Sequence, residues 1–130
     1  MVLRISSKLH GRLLAIAAAS PDAEVCGLLV GRDRVEHIIP TANVALDPRR
    51  CFEIESEVLF AALRVERAGG DKVLGYYHSH PTGSSKPSAT DTAQATVDGR
   101  VWLIMAEGRA AAWALNEARV FEAIEYEISD

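Results

Sequence analysis

Two histidines separated by a single residue, His78 and His80, follow directly on the apolar run Lys72–Tyr77. In an extended chain, residues two apart project to the same face. Two imidazoles side by side at a strand end can give two nitrogen ligands to one metal ion. The same pair also fits an ordinary polar strand end. The preceding apolar run implies partly buried surroundings, and buried imidazoles need partners. Asp91 is the candidate third ligand. Catalytic zinc centres use three protein ligands and leave a position for water. A His₂Asp set suits zinc, but iron, cobalt or nickel would also bind it. Asp91 has a competing role, because Ser88-x-x-Asp91 is close to a capping box. As an isolated tetrapeptide the cap is the stronger reading. Ser88 likewise reads first as a helix N-cap and second as a hydrogen-bond donor to a developing oxyanion. A metal-activated water needs a base to collect its proton. Glu24 stands out among the 18 acidic residues because it opens the apolar run Glu24–Arg32. A solvated strand-end glutamate explains its position equally well.

The elements around these residues follow from periodicity and punctuation. Val2–Ile5 is a short β-prone start. Ser6 or Ser7 caps a helix over about Ser7–Ala19, with Leu9, Leu13 and Ile16 on one face, and Pro21-Asp22 breaks it. Glu24–Arg32 and Val35–Ile39 read as a hairpin about Gly31–Arg34. Thr41–Arg50 is loop-like and Phe52-Glu53-Ile54 a short alternating strand. Ser56 then caps a helix over Glu57–Arg67 that ends at Gly69-Gly70. Lys72–Tyr77 is a strand, and Thr82–Pro87 is a small, polar loop stiffened at its ends by Pro81 and Pro87. Its Gly83 and serines leave it free to move over a substrate. Ser88 starts a short helix over Ala89–Thr96 with Asp91 at N3. Val101–Met105, Ala110–Leu115 and Val120–Ile128 are three further strands. The fold class is α+β (or α/β), with about seven or eight strands and three helices.

Composition limits the function. A chain of 130 residues is one ordinary domain, here 1–130, large enough to bury a core without staples. Hydrophobic residues at 48% and charged residues at 25% exclude a disordered chain, a collagen and a disulfide scaffold. A net charge of −4 disfavours nucleic acid as a partner. Leu13–Ala19 is far short of a membrane span and Arg12 interrupts the stretch, so no membrane role is expected. Cys26 and Cys51 form no CxxC motif and read as free thiols of a cytoplasmic protein. Cys26, two residues after Glu24, reads as a small core residue, with a place lining the site as the alternative. One of Tyr76 and Tyr77 faces the core, and Trp102 and Trp113 are core or sheet-surface residues. A zinc deaminase is disfavoured, because P-C-x-x-C is absent and His78-Ser79-His80 lacks the glutamate of H-x-E.

His78-Ser79-His80, seven residues, then Ser88-Ala89-Thr90-Asp91 matches H-[ST]-H-x7-S-x-x-D. This resembles the JAMM (MPN+) family of zinc metalloproteases. Glu24-Val25-Cys26-Gly27-Leu28-Leu29-Val30-Gly31 resembles that family's glutamate-bearing strand. Asn43, Phe52–Ile54 and Trp102–Met105 resemble its linking segment and next core strand. The resemblance implies a mixed, mostly antiparallel sheet curled around and flanked by helices. It implies one Zn²⁺ held by His78, His80 and Asp91 with water as fourth ligand, Glu24 as general base and proton shuttle, and Ser88 at the oxyanion. All five positions are filled, unlike those of the inactive scaffold relatives. The compact chain is similar to stand-alone prokaryotic members. The implied substrate is the C-terminal tail of a ubiquitin-like, β-grasp sulfur-carrier protein, threaded as a strand beside Thr41–Ile54. Removal of such a modifier from lysine, or a non-catalytic metal-bearing module, are the alternatives.

Overall fold

The chain's two most continuously apolar runs form its central strands. In the computed structural model, which describes residues 1–130, β2 (Cys26–Gly31) and β5 (Val101–Ala106) are buried along their whole length. Strands covered on both faces read as unbroken hydrophobic runs. The other elements, in chain order, are β1 (Val2–Ile5), α1 (Ser7–Ala18), β3 (Val35–Thr41), α2 (Ser56–Arg67), β4 (Lys72–Ser79), α3 (Ala89–Gln94), β6 (Arg109–Leu115) and β7 (Phe121–Ile128). One seven-stranded sheet runs β1-β7-β6-β5-β4-β2-β3. It is parallel at β1–β7 and β4–β5 and antiparallel at its other pairings. No helix is long and apolar enough to cross a membrane.

Alternation along the strands sends side chains to both faces of the sheet, where three clusters form, one of the two smaller being Ala95, Trp102 and Leu115. Leu29, Tyr77, Leu103 and Met105 join Leu13 of α1 on one face. Leu28, Val30 and Val73 pack against Val58, Leu59 and Leu63 of α2 on the other. Tyr77 is therefore the core tyrosine, and Tyr76 donates its hydroxyl to Asp98 at 2.7 Å. Gly27 sits where β2 passes closest to its neighbours. A Cβ there would lie 2.4 Å from both the Tyr77 ring and the Ile39 carbonyl. Gly27→Ala is expected to cost about 1–3 kcal/mol through overpacking, read as a lower denaturation midpoint at unchanged slope.

Beyond shifts of a residue or two at strand ends, such as β2 beginning at Cys26 and leaving Glu24 outside the strand, three features differ from the sequence reading. Ser56 is not the cap of α2 but its first residue. Glu55 takes the cap position without a side-chain cap bond, because its carboxylate accepts the Ala42 N–H at 2.9 Å. Phe52-Glu53-Ile54 is not a strand and pairs through a single bridge, Asn43–Ile54. The Asn43 side-chain carbonyl accepts from the Ala45 and Glu53 N–H groups, which replaces ladder bonds. α3 ends at Gln94, since Ala95 turns extended and buries its side chain.

Candidate metal centre and active site

β2 and β4 are antiparallel with Cys26 opposite His78. Continued by two residues, that register brings Glu24 toward His80. Ser79 fixes the approach: its N–H donates to the Val25 carbonyl at 3.1 Å, and its hydroxyl accepts the Val25 N–H at 2.9 Å. The Glu24 backbone is held on both sides. Its N–H donates to Pro48 at 2.7 Å, and its carbonyl accepts from the Asn43 side chain at 2.9 Å. β4 turns out of the sheet at His80, whose N–H still reaches the Met105 carbonyl on β5. α3 then returns Asp91 to the same point.

His78 Nε2 and His80 Nε2 are 3.1 Å apart, and Asp91 Oδ2 lies 3.2 and 3.1 Å from them. Candidate ligand atoms of Glu24, His78, His80 and Asp91 all fall within 4.8 Å of one another. Donors held at zinc's bond lengths in a tetrahedron stand roughly 3.3–3.5 Å apart, so the triangle fits such an ion with small adjustment. The donors also have the right chemistry. His80 Nδ1 is 2.7 Å from the Ser84 carbonyl and donates to it, which leaves Nε2 as the nitrogen that would give its lone pair to a metal ion on losing its own proton. Two buried polar atoms at the cluster, Glu24 Oε1 and His78 Nδ1, have no hydrogen-bond partner.

The competing readings of Asp91 turn out to be compatible. Its Oδ2 accepts the Ser88 N–H at 2.9 Å while facing both imidazoles. Its own N–H donates to Ser88 Oγ at 3.0 Å, which completes the capping box. Ser88 therefore spends a lone pair on the cap and keeps its hydroxyl proton to donate elsewhere. Glu24, for which position alone allowed a solvated strand end, is 5% exposed.

Burial governs the electrostatics. It raises the Glu24 pKa to about 7, against the opposing charge of His80. Burial also lowers the pKa of His78 and keeps it neutral. Burial opposes a charge on His80, but its bonds with Asp91 and Ser84 outweigh that and raise its pKa. Burial would likewise raise Asp91, yet hydrogen bonds from both histidines hold it well below the ordinary carboxylate range. Glu24 has a stability consequence in the metal-free protein. Its folded pKa lies above its unfolded value, so stability is lost as pH rises from about 4.5 to about 7. Glu24→Gln removes that loss. Relative to the wild type, the variant is expected to gain up to about 3 kcal/mol between pH 4 and pH 8. Parallel melting-temperature profiles in chelator would contradict this.

Aromatic neighbours were not legible as site residues. Phe52 stacks on His78 with ring centroids 4.2 Å apart, and Trp102 meets it edge-on at 5.5 Å. Phe52 comes from a loop, where no periodicity marks it. Both line a groove of about 700 Å³, together with Leu46, Leu59, Tyr76 and Asp98. Cys26 is buried near Thr41 and stands outside the ligand group, and both cysteines are free. The Thr82–Pro87 loop is tied down: beyond Ser84, the Ser85 carbonyl accepts the Trp113 indole N–H at 2.9 Å.

A family profile described as prokaryotic homologs of the JAB domain matches residues 6–119. A desampylase of Haloferax volcanii is 39% identical over 109 residues, which is 79% of this chain and 78% of that protein. A probable TtuB-protein conjugate cleaving protease of Thermus thermophilus is 38% identical over 72 residues, 55% of this chain and 49% of that one. The crystal structure of a JAB1/MPN domain protein from Archaeoglobus fulgidus matches all of both chains with a TM-score of 0.67 at 22% identity. The mixed, curled seven-stranded sheet with three helices is the JAB/MPN fold, and the chain belongs to the prokaryotic JAB-domain family as a hydrolase of the JAMM type.

Proposed function

We propose that this domain, residues 1–130, hydrolyses the bond joining the C-terminal tail of a ubiquitin-like modifier to another protein. In this reading His78, His80 and Asp91 hold one zinc ion, Glu24 is the general base and Ser88 the oxyanion donor. The observation that carries it is the convergence of four buried or nearly buried side chains on one point. Zinc held there would supply a Lewis acid that acidifies water and polarises a carbonyl. Glu24 takes the proton of the attacking water and later delivers it to the departing amine. Burial, which raises the Glu24 pKa in the metal-free protein, favours its holding that proton between the two steps. The free proton of the Ser88 hydroxyl is available to the carbonyl oxygen as it gains charge. One such donor is commonly worth ~10²–10³ in rate.

The tail is taken to lie extended beside Thr41–Ile54, along the groove that Phe52 and Trp102 help to line. Glycine at its end would let the backbone approach the histidines closely. We assign the modifier to the β-grasp sulfur-carrier class, acting in the cytoplasm, on the strength of the complete motif and the similarity to a desampylase and a conjugate-cleaving protease. The bond is either the peptide bond after the tail or an isopeptide bond to lysine. The conjugate-cleaving name of the Thermus relative favours the second. A linear tail fusion and a lysine-linked conjugate, each followed by intact mass, separate the two. Cleavage after the terminal glycine is expected, and it is lost when the penultimate glycine becomes tryptophan. Unchanged cleavage of that variant would overturn the threaded tail.

A further inference from the structure

β6 and β7 bring no side chain to the metal-site cluster, yet residues of their hairpin hold the segment that carries His80 and Asp91. The ends of that segment need holding. α3 has six residues, too few to be stable alone. Its first turn has the Ser88–Asp91 box, but at its other end only the Asp91 carbonyl is met locally, by the Ala95 N–H at 2.9 Å. Arg119, in the turn between β6 and β7, meets one carbonyl of the last turn and that of the residue just past the helix. Its Nη2 donates to the Thr92 carbonyl at 2.7 Å and the Ala95 carbonyl at 3.0 Å. Arg119 has φ 61, a left-handed conformation uncommon outside glycine.

The second contact lies on β6. The Trp113 indole donates to the Ser85 carbonyl at 2.9 Å. The adjacent Ser84 carbonyl receives His80 Nδ1 at 2.7 Å. Trp113 thus fixes the peptide next to the one that sets the tautomer and aim of His80. Trp113 is also the cross-strand partner of Trp102, which packs edge-on against His78.

We propose that Trp113 and Arg119 are positioning residues that set the metal affinity of the site. They do so by bracing the 80–95 segment from the β6–β7 hairpin. The inference rests on the reading that His78, His80 and Asp91 are the ligands. Loss of either brace leaves the donors present but less often converged, so zinc is held more weakly without loss of a ligand. Groups supporting metal ligands typically account for about 10–100-fold in affinity.

The test is zinc competition against a chromophoric chelator, with melting of the metal-free protein alongside. Arg119→Met removes the fork. Arg119→Lys keeps the charge and one donor and is expected to restore part of the affinity. At position 113, benzothienylalanine keeps the bicyclic shape and removes the N–H, which separates the hydrogen bond from packing. Arg109→Met, an exposed change on the same strand, is the control. The expected result is zinc affinity about 10–100-fold weaker in Arg119→Met and the position-113 isostere. Arg109→Met should match the wild type, and metal-free melting temperatures should stay close to it. Wild-type affinity in both brace variants, while Asp91→Ala abolishes binding, would overturn the brace and leave the ligand assignment standing. Unchanged binding in Asp91→Ala would overturn the ligand assignment itself, and the brace with it.

Discussion

Glu24→Gln is expected to lower turnover of a modifier conjugate by about 10³-fold or more while the protein keeps its full complement of metal. The amide preserves size and hydrogen bonding but cannot take a proton from water, and general-base catalysis of this kind is commonly worth ~10²–10⁴. Backbone bonds from Asn43 and to Pro48 hold residue 24 independently of its side chain. Position is therefore kept and only the chemistry is lost. Kinetics and elemental analysis on the same preparation check it. Retained turnover would remove Glu24 from the reaction, and loss of metal would make it a ligand.

Asp91→Ala is expected to have the larger structural effect, because one carboxylate has two duties. Its Oδ2 faces the Nε2 atoms of both histidines, where the proposed ion would sit, and accepts the Ser88 N–H. Alanine is expected to abolish stoichiometric metal binding and turnover together. It also removes half of the capping box of a six-residue helix, for a further loss of about 1 kcal/mol. Asp91→Asn separates the duties: the amide oxygen can still accept the capping N–H, but the charge is gone. This variant should keep the metal-free melting temperature nearer the wild type while binding metal far more weakly. Equal metal affinity in Asp91→Asn and wild type would contradict the ligand role.

How far the sequence carries this account depends on where the information is local. The run before His78-Ser79-His80 and the spacing to Asp91 are local signals, and the structure brings those side chains to one point. The sheet is legible for the same reason, since the runs that became β2, β4 and β5 are apolar and bounded by turn residues. Glu24 was ambiguous by position, because its place is set by backbone bonds to Asn43 and Pro48, far along the chain. Those contacts are tertiary. Phe52 lay beyond periodicity altogether: it reaches His78 only because Asn43 folds the 43–54 segment back on itself. The helix cap at Ser56 failed as a reading because Glu55 is claimed by Ala42, a partner 13 residues away in sequence. The choice between cap and ligand at Asp91 could not be made from spacing, since the one carboxylate oxygen accepts the capping N–H and also faces both imidazoles.

The most direct test of a metal-dependent hydrolytic centre is a zinc titration of activity. The protein is stripped with chelator and dialysed. Zinc is then added back in fractions of an equivalent while cleavage of a lysine-linked modifier conjugate is followed. No turnover in the stripped protein, a linear rise and a plateau at one zinc per chain is the expected result. Undiminished turnover after stripping, or none at any zinc level with a substrate that a related protease cleaves, would contradict it.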